Sequence, residues 1–588
     1  MTGESGRGWL LRAPDESLVR DVRERTGLSE TASRILVNRG IVSPGEADRF
    51  LDGTIRDLSS PFPMKDLEKA SRRLVDAARR KEPILVYADY DADGATGAAC
   101  LYLFLSEVFP GTDVTIHQNH RIADGYGLKR NHLEAAAAAG VKVVVTVDCG
   151  ITDGEAIRYA TEAGMDVIVT DHHVPGDLLP PALAILNPKQ KGCPYPEKEI
   201  AGVGVVFLLL CGMRRLLREE SAFPGGDEPG LRKYLDLVAL GTVADMVPLR
   251  GDNRLFVKAG LEQIRQSPRP GIRALLSVSG IAQENVDEID LGFRIGPRLN
   301  AAGRVGDSKR SSGLLVTDSV DRALRIAAEL HADNVRRQRE EERTLREATA
   351  ALESGPPLSS LSAIVLADPG WHLGILGIVA SKIAERHHRP AVLLRIEGGE
   401  ATGSLRSANG FPLIDALSGM SHLLTRYGGH MQAAGISLPA GNLPAFREGL
   451  NRAAGEFFSG RDRVPRLEID ARVRFGEISR SLMEELDRMR PFGMGNEEPV
   501  LLASNVRVER VSLFGGEGRH LKADLSGDAR RFEAVAFFRS ELPSGPGGSL
   551  DILFTPQWNY FRGDRSIRLR LIDARPSGPS GISATPGP

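Results

Sequence analysis

The sequence predicts an α/β protein built on a parallel sheet, followed by a smaller α/β unit and a small β-barrel. Between residues 83 and 316, short runs rich in Val and Ile alternate with helical stretches, which is the pattern of a parallel sheet covered by helices. A second, shorter alternation of strands and helices occupies residues 362–458. From residue 466 onward, about five short strands follow without long helices between them, which favours a barrel such as an OB-fold.

Three carboxylates at alternate positions follow the first predicted strand of the parallel sheet. The apolar run that ends at Ala88 leads directly into Asp89, Asp91 and Asp93, and an Ala- and Leu-rich helix comes next. These carboxylates are therefore expected at the carboxyl end of a buried strand, where open α/β sheets bind ligands. Crowded carboxylates repel unless cations neutralise them, and Mg²⁺ and Mn²⁺ prefer oxygen ligands. A solvated acidic turn is the alternative interpretation of this stretch alone.

The later predicted strands end in the same types of residue. The second strand ends at Asp148, the third ends at the triplet Asp171-His172-His173, and a further apolar stretch ends at Asp245. Parallel strands place their carboxyl ends along one edge of the sheet. The repetition therefore favours a metal site at that edge over a set of unrelated surface acids.

Several loops offer side chains suited to a phosphate. Arginine forks match phosphate oxygens in pairs, and small residues let a ligand approach the backbone. The candidate substrate-binding residues are Arg121, Arg298, Asn300, Arg304, Ser404, Arg406, Gly428, Gly429 and His430. The alternatives are an ordinary turn for the glycine-rich loops and a surface salt bridge for the arginines. For His430, judged on its own segment, a structural histidine is the favoured interpretation.

Composition narrows the class of protein. The net charge is −2, so a nucleic-acid ligand would need local basic surfaces rather than a globally basic chain. No stretch offers the roughly 20 uncharged apolar residues of a membrane span, and the N-terminus lacks a signal-peptide pattern. The four cysteines form no CxxC pair, which is typical of reduced thiols. We therefore expect a cytoplasmic protein without a membrane partner.

The pattern along the chain predicts six segments. A long helix, charged on nearly every face in its later half, connects the two α/β domains, and Gly, Pro and Ser dominate the C-terminus. In order, the segments are a helical N-terminal lead-in (1–61), the parallel-sheet domain (62–318), the connecting helix (319–357), the smaller α/β domain (358–460), the OB-fold-like barrel (461–575) and a disordered tail (576–588).

Aromatic and basic side chains lie close together near the end of the barrel sequence. Trp558, Tyr560 and Phe561, with Arg562 and Arg565, could stack on the bases of a single strand. A role in the barrel core and in the adjoining turn is an equally good interpretation of these aromatic residues.

Five motifs in a fixed order resemble those of the DHH–DHHA1 phosphoesterases, and within that family those of the single-strand-specific exonucleases. They are Asp89-Tyr90-Asp91-Ala92-Asp93-Gly94, Asp148-Cys149-Gly150, Asp171-His172-His173, Val243-Ala244-Asp245 and Gly428-Gly429-His430. The likeness covers nearly the whole chain, including the barrel. Ala88 and the segment His117-Gln118-Asn119-His120 depart from the family pattern, which bears on substrate contacts more than on metal binding.

The resemblance implies a parallel-sheet DHH domain and a smaller DHHA1 domain joined by the long helix. It also implies two Mn²⁺ or Mg²⁺ ions and a catalytic set in which His173 faces the scissile phosphate. The implied ligands are Asp148 as the bridge between the ions, Asp89 and Asp91 on one ion, and Asp93, His172 and Asp245 on the other. Paired ions of this kind activate a water molecule, so no nucleophilic side chain is needed.

Three functions are considered at this point. The resemblance favours an exonuclease that degrades single-stranded DNA from 5′ to 3′ in recombination and repair, with a helicase or a single-strand-binding protein as candidate partners. The second is a relative acting on small substrates, such as an oligoribonuclease, a cyclic-dinucleotide phosphodiesterase or a pyrophosphatase, which would need neither the barrel nor the lead-in. The third is a non-catalytic strand-binding replication factor, against which the intact acidic and histidine set argues.

Overall fold

The computed structural model of the chain describes residues 8–223, 226, 228–461, 464, 466–561, 564–578 and 583–586. The chain divides into two compact units. One unit is continuous and spans Leu58–Arg463, whereas the other combines Met1–Asp57 with Val464–Pro588. Within the described residues, no helix is both long enough and apolar enough to cross a membrane.

The N-terminal segment contains one strand and three helices. They are β1 (Trp9–Ala13), α1 (Glu16–Thr26), α2 (Glu30–Asn38) and α3 (Pro44–Asp52). The residue before each helix accepts a backbone N–H of the first turn with its side chain, as N-cap residues do. These caps define where each short helix begins.

The predicted parallel sheet is confirmed in the Leu58–Arg463 unit. Its strands are β2 (Ile84–Ala88), β3 (Val114–Gln118), β4 (Val143–Val147), β5 (Asp166–Thr170) and β6 (Ala184–Leu186). The strand order is β3-β2-β4-β5-β6, and every neighbouring pair is parallel. The chain leaves β2 for β3 on one side and reaches β4 on the other. The carboxyl ends of β2 and β4 therefore flank a topological switch point, which is where such sheets bind ligands.

Helices cover this sheet and continue beyond it. They are α4 (Leu67–Arg79), α5 (Ala92–Val108), α6 (Arg130–Ala138), α7 (Gly154–Glu162), α8 (Gly202–Glu219), α9 (Leu235–Ala244), α10 (Gly251–Gln266), α11 (Pro270–Val278), α12 (Glu288–Asp290), α13 (Gly296–Val305) and α14 (Lys309–Val316). Helix α9 packs closely on α5 because Gly241 has no side chain. A Cβ atom there would lie 2.3 Å from Thr96 Oγ1 and 2.9 Å from Asp93 Oδ1. This close approach brings the end of α9 to the edge of the sheet.

The long connecting helix is α15 (Val320–Glu353), and a smaller α/β domain follows it. The elements of that domain are β7 (Ile364–Ala367), α16 (Leu373–His387), β8 (Ala391–Glu397), β9 (Glu400–Arg406), α17 (Leu413–Gly419), β10 (Arg426–Gly429), β11 (Ala433–Pro439) and α18 (Leu443–Phe457). Its sheet has the order β10-β11-β9-β8-β7, in which only β7 and β8 run parallel. Helix α15 buries small and apolar residues such as Ala323, Ala327, Leu330 and Ala348 along one face, so it is packed rather than solvated on all sides.

The C-terminal region forms the predicted barrel. Its elements are β12 (Leu467–Ile469), β13 (Ala471–Arg472), α19 (Arg480–Arg488), β14 (Leu501–Phe514), β15 (His520–Gly527), β16 (Arg530–Ala536), β17 (Ser549–Phe561), β18 (Asp564–Pro576) and β19 (Ser583–Pro586). Five strands pair in the order β14-β15-β16-β18-β17, and an additional pairing of β14 with β17 closes the barrel. This closure is that of an OB-fold, which removes the exposed sheet edges.

The N-terminal segment shares its core with the barrel. Strand β1 pairs in parallel with both β12 and β19. Val19 and Leu36 from the N-terminal helices belong to the same buried cluster as Leu486 and Phe554. The segment therefore packs as part of the terminal unit rather than as a free lead-in.

The predicted disordered tail, 576–588, differs from the structure in part. Pro576 ends β18, and Ser583–Pro586 forms β19 against β1. The Gly, Pro and Ser content that suggested disorder does not prevent a strand from adding its backbone hydrogen bonds to an existing edge. Residues 579–582 and 587–588 lie outside the described part of the chain.

The barrel aromatics are engaged with neighbouring charged groups. Trp558 Nε1 donates to Asp487 Oδ2 at 2.7 Å, and the Arg565 guanidinium lies 3.5 Å from the centre of the Trp558 ring. Tyr560 is exposed. The side chain of Phe561 and residue Arg562 fall outside the described part of the chain.

The shared core leads to a prediction about fragments. We expect residues 58–463 to fold alone as a monomer, whereas residues 1–463 should aggregate, because the apolar faces of α1–α3 would lose the barrel side of their core. Size-exclusion chromatography and calorimetry of the two fragments would test this. A monomeric 1–463 fragment with an additional cooperative unfolding transition would show that the N-terminal segment has a sufficient core of its own.

Candidate metal centre

The six proposed metal ligands come from five elements of the fold or the residues just after them, and they meet at the edge of the sheet. Asp89 and Asp91 follow β2, Asp93 is in the first turn of α5, Asp148 follows β4, His172 follows β5, and Asp245 follows α9. All except Asp91 and Asp245 are buried. The switch point of the sheet therefore carries a dense set of carboxylates and one imidazole.

Backbone contacts hold the Asp93 carboxylate in place, and Asp148 has an uncommon backbone conformation. Asp93 Oδ2 accepts the Gly202 N–H at 2.6 Å, and Asp93 Oδ1 accepts the Val203 N–H at 2.8 Å. Both donors belong to the first turn of α8, whose positive end stabilises a carboxylate. Asp148 has a left-handed backbone with φ of 60°. That conformation is uncommon for a residue other than glycine and is frequent at functional sites.

The side chains fall into three groups, and within each group one ligand atom per residue lies within 4.8 Å of the others. The groups are Asp89–Asp91–Asp148, Asp93–His172–Asp245 and Asp148–His172–His173. His172 Nε2 lies 3.1 Å from Asp148 Oδ1 and 3.5 Å from Asp245 Oδ2. The first two groups together contain the six residues that the sequence resemblance implied as ligands, but Asp148 belongs only to the first of them, and the ligand assignment stays a prediction.

Unpaired polar atoms in this site fit divalent cations. Asp89 Oδ1, Asp148 Oδ1 and both ring nitrogens of His172 are buried without a hydrogen-bond partner among the described residues. A buried polar atom without a partner costs about 1–3 kcal/mol, so several in one place need a ligand. Carboxylate oxygens with imidazole nitrogen form a suitable donor set for Mn²⁺ or Mg²⁺.

Burial and mutual repulsion shift the protonation of the cluster. Burial, followed by the charges of the neighbouring carboxylates, raises the pKa of Asp89, Asp148 and Asp245 well above the usual range. The same causes raise the pKa of Asp93 to about 7. Burial, and then the charge of His173, lowers the pKa of His172 to about 3. His172 is therefore neutral near pH 7, the form that binds a metal ion.

Asp171 orients His173, although the sequence alone did not single out that role. Asp171 Oδ1 lies 2.8 Å from His173 Nδ1 and also accepts the backbone N–H groups of His172 and His173. Burial lowers the pKa of His173, but the hydrogen bond with Asp171 and its charge outweigh burial, so the pKa is raised. With Nδ1 turned toward Asp171, Nε2 is the ring nitrogen left to meet a ligand.

Tyr126 is a second residue that sequence reasoning missed. Tyr126 Oη lies 3.0 Å from His173 Nδ1 and 3.4 Å from the Asp148 carbonyl oxygen. The sequence feature that could have identified Tyr126 is the glycine on either side of it, because such a pair indicates a tightly turning loop.

Three of the predicted arginines converge without a carboxylate. Within the described residues, Arg121, Arg304 and Arg406 form no ion pair, and this does not support the salt-bridge alternative for them. Arg121 lies 4.8 Å from the centre of the Tyr90 ring. Burial, and then the charges of Arg121 and other arginines, lowers the pKa of Arg304 to about 9. Burial and the charge of Arg121 also lower the pKa of Arg406. An anion would relieve this repulsion.

The smaller α/β domain brings Ser404 next to Arg406. A Cβ atom on Gly377 of α16 would lie 2.6 Å from Arg406 Nη2 and 3.5 Å from Ser404 Oγ. The absence of a side chain at Gly377 thus leaves room for both groups. His430 accepts the Gln432 N–H, and burial followed by the charges of Arg406 and His173 lowers its pKa. Gly428 and Gly429 lie at the end of β10, just before His430.

The remaining two predicted substrate contacts are engaged elsewhere. Asn300 Oδ1 accepts the Ala92 N–H at 2.7 Å, which holds the start of α5. Arg298 Nε lies 3.3 Å from His331 Nδ1, and its guanidinium also donates to the Arg294 carbonyl. These contacts give Asn300 and Arg298 a structural role. A contact with substrate stays a prediction for both residues.

Comparison with protein families agrees with this architecture. The DHH family, N-terminal domain, matches residues 83–242, the DHHA1 domain matches residues 360–456, and the RecJ OB domain matches residues 469–573. The parallel sheet with its acidic edge, joined to the DHHA1 domain, thus defines a phosphoesterase of the DHH type, as the sequence resemblance predicted.

Comparison with individual relatives identifies the family within the DHH phosphoesterases. The RecJ exonuclease of Bacillus subtilis is 35% identical, covering 96% of this chain and 70% of its own length. That of Escherichia coli is 35% identical, covering 92% and 94%. The crystal structure of Thermus thermophilus RecJ with Mn²⁺ superposes with a TM-score of 0.82 at 32% identity, covering 98% of this chain and 80% of that one. The chain belongs to the RecJ family of single-stranded-DNA-specific exonucleases.

The raised carboxyl pKa values give a prediction for the metal-free protein. A group whose pKa rises from 3.8 to about 7 on folding, as for Asp93, favours the folded state at low pH and loses that effect as the pH increases through 7. We expect the melting temperature to fall between pH 5 and 8 in chelator. Mn²⁺ at 100 times its Kd should restore about 2.7 kcal/mol per site.

Asp148→Asn is the matched variant for this experiment. It removes one charge from the cluster, so without metal it should melt above the wild type at pH 8 and respond little to Mn²⁺. A variant that melts below the wild type in chelator, or keeps the full Mn²⁺ response, would contradict the proposed role of Asp148.

Proposed function

We propose that this chain is a metal-dependent exonuclease that degrades single-stranded DNA from 5′ to 3′ by phosphodiester hydrolysis, in DNA recombination and repair. Relatives that cover 92–96% of the chain are named single-stranded-DNA-specific exonucleases. One structural observation carries the proposal. The ligand groups Asp89–Asp91–Asp148 and Asp93–His172–Asp245 are neighbours, since His172 Nε2 lies 3.1 Å from Asp148 Oδ1. They belong to the same unit as an arginine cluster that has no carboxylate partner among the described residues.

The proposed cofactors are two Mn²⁺ or Mg²⁺ ions. Structures of the Thermus thermophilus relative are described with Mn²⁺ and with Mg²⁺. When bound, such a pair supplies an activated water and neutralises charge on the leaving oxygen. We assign the ions to the six ligands described above, with Asp148 shared between them. The buried atoms without partners on Asp89, Asp148 and His172 support that assignment.

The chain's own residues orient the substrate around this centre. His173, held at Nδ1 by Asp171, offers Nε2–H to the scissile phosphate as a charge-assisted donor. Cys149 is fully buried, and burial raises the pKa of its thiol, so it is not a nucleophile. We therefore propose water, rather than this thiol, as the attacking group.

The 5′ polarity requires recognition of an end. A terminal phosphate carries extra charge and free oxygens, which suit an arginine fork combined with a hydroxyl donor. We propose that Arg406 and Ser404 from the smaller domain and Arg121 from the parallel-sheet domain bind this phosphate. This proposal is supported by the space that Gly377 leaves beside Arg406 and Ser404, and by the charge of Arg121, which after burial lowers the pKa of Arg406.

The partners follow from the substrate. An enzyme that needs an unpaired end is served by a helicase that opens the duplex or by a single-strand-binding protein, and we propose one of these as its partner. The four cysteines are free thiols, which supports a cytoplasmic location.

The function is tested with purified chain, Mn²⁺ and labelled substrates. We expect hydrolysis of single-stranded DNA, little hydrolysis of blunt duplex, and weaker activity on dinucleotides. Asp148→Asn should lower the rate by about a thousandfold, corresponding to several kcal/mol of transition-state stabilisation. A preference for dinucleotides would favour the small-substrate function, and strand binding without any hydrolysis would favour the non-catalytic one.

End recognition is tested with Arg406→Ala. Hydrogen bonds to charged groups contribute about 1.5–3 kcal/mol, so kcat/KM on a 5′-phosphorylated strand should fall about 10- to 100-fold. The loss on the same strand with a 5′-hydroxyl should be smaller. Arg395→Ala serves as the control, because Arg395 lies on β8 and pairs with Glu397 of the same strand. Equal losses on both substrates would reject Arg406 as the end sensor.

A further inference from the structure

The side chain of Asn119 holds the loop that follows β3 through hydrogen bonds. This side chain is almost completely buried. Nδ2 donates to the carbonyl oxygens of Gly125 at 3.0 Å and Gly127 at 2.7 Å, so it ties the start of the loop to its end. Oδ1 accepts the Tyr87 hydroxyl at 2.5 Å, which anchors the closed loop to the central strand β2.

The loop is also rigid between these ties. Asp124 Oδ2 accepts the His120 N–H at 2.7 Å, and Asp124 donates its own N–H back to the His120 carbonyl at 2.8 Å. Gly127 has φ of 85°, and a Cβ atom there would lie 2.6 Å from Asp153 Oδ1. The loop therefore has little freedom to change its shape.

Two side chains of this closed loop reach different parts of the site. Arg121 lies over the Tyr90 ring and contributes its charge to the arginine cluster with Arg406. Tyr126, five residues later, lies against His173 at the metal centre. One small rigid loop thus connects the proposed end-binding group to the proposed phosphate-facing group.

We propose that Asn119 is a positioning residue that fixes the spacing between Arg121 and Tyr126, and thereby the number of nucleotides between the bound 5′ end and the scissile phosphate. This inference rests on the proposed exonuclease function and extends it to product length. Asn119 itself is buried and touches neither end of the substrate. It acts through the loop, because without its two bonds to Gly125 and Gly127 the loop can open and Arg121 can move relative to His173.

Product length is measured on a single strand carrying a 5′ radioactive phosphate, in single-turnover reactions with Mn²⁺. The wild type should release the label in one product length. Asn119→Ala should release a mixture in which a second length carries at least 10% of the label. Gly127→Ala should displace the same loop by a different contact, because the added Cβ atom would clash with Asp153. It should give the same mixture.

Asn451→Ala is the matched control. Asn451 Oδ1 accepts the Ser362 and Ala363 N–H groups, and Nδ2 donates to the Arg447 carbonyl, so it also fastens backbone but lies outside the site. Its variant should keep a single product length. The Mn²⁺-induced shift in melting temperature identifies variants that retain the metal centre.

The outcomes separate this inference from the proposed function. A single, unchanged product length in folded Asn119→Ala and Gly127→Ala would overturn the inference while leaving the exonuclease function intact. A mixture that also appears in Asn451→Ala would overturn it as well, since general loosening would then be the cause. A wild-type chain that releases no label would instead overturn the exonuclease function.

Discussion

Repulsion among buried carboxylates is the constraint on which the rest of the site depends. Asp89, Asp93, Asp148 and Asp245 converge from separate elements, and burial with mutual charge raises the pKa of each. Such a set does not assemble through its own interactions. It is imposed by the surrounding apolar strands, whose side chains are almost entirely buried, and by the N-terminus of α8, which binds Asp93.

The arginine cluster is the positive counterpart of this arrangement. Arg121, Arg304 and Arg406 come from a loop, a helix and a strand. Burial, and then the charge of Arg121, lowers the pKa of Arg304 and of Arg406. Each cluster is unfavourable alone and is relieved by ions of the opposite charge. A chain that must bind both divalent cations and a polyanion can keep the two sets apart because each is held by its own scaffold.

Much of the fold and the acidic edge of the sheet could be predicted, because short stretches of sequence determine them. Short β-branched runs ending in Asp89, Asp148 and Asp171 mark both the strands and the edge where they end. The six ligands can be proposed from the motifs that contain them, although their assignment to ions remains a proposal. Trp558 with Arg565, in contrast, gave no sign of the contact with Asp487.

The parts that could not be predicted depend on contacts between distant residues or on hydrogen bonds of the backbone. The pairing of β1 with β12 joins positions more than four hundred residues apart, and no periodicity reveals it. Asn119 lies outside the family pattern, and its Nδ2 donates to backbone carbonyl groups that any residue could supply. The hydrogen bond from the Ala92 N–H to Asn300 Oδ1 likewise joins residues far apart in the chain, and the sequence did not indicate it.

The discontinuous terminal unit has a consequence for synthesis on the ribosome. Residues up to Asp57 are made first, but their partners begin at Val464, so the whole Leu58–Arg463 unit is translated in between. At roughly 5–20 residues per second, this interval lasts on the order of 20–80 s. The continuous unit can fold during that time, whereas the three N-terminal helices must wait with an incomplete core. The order of assembly is therefore fixed by the order of translation, with the terminal unit completed last.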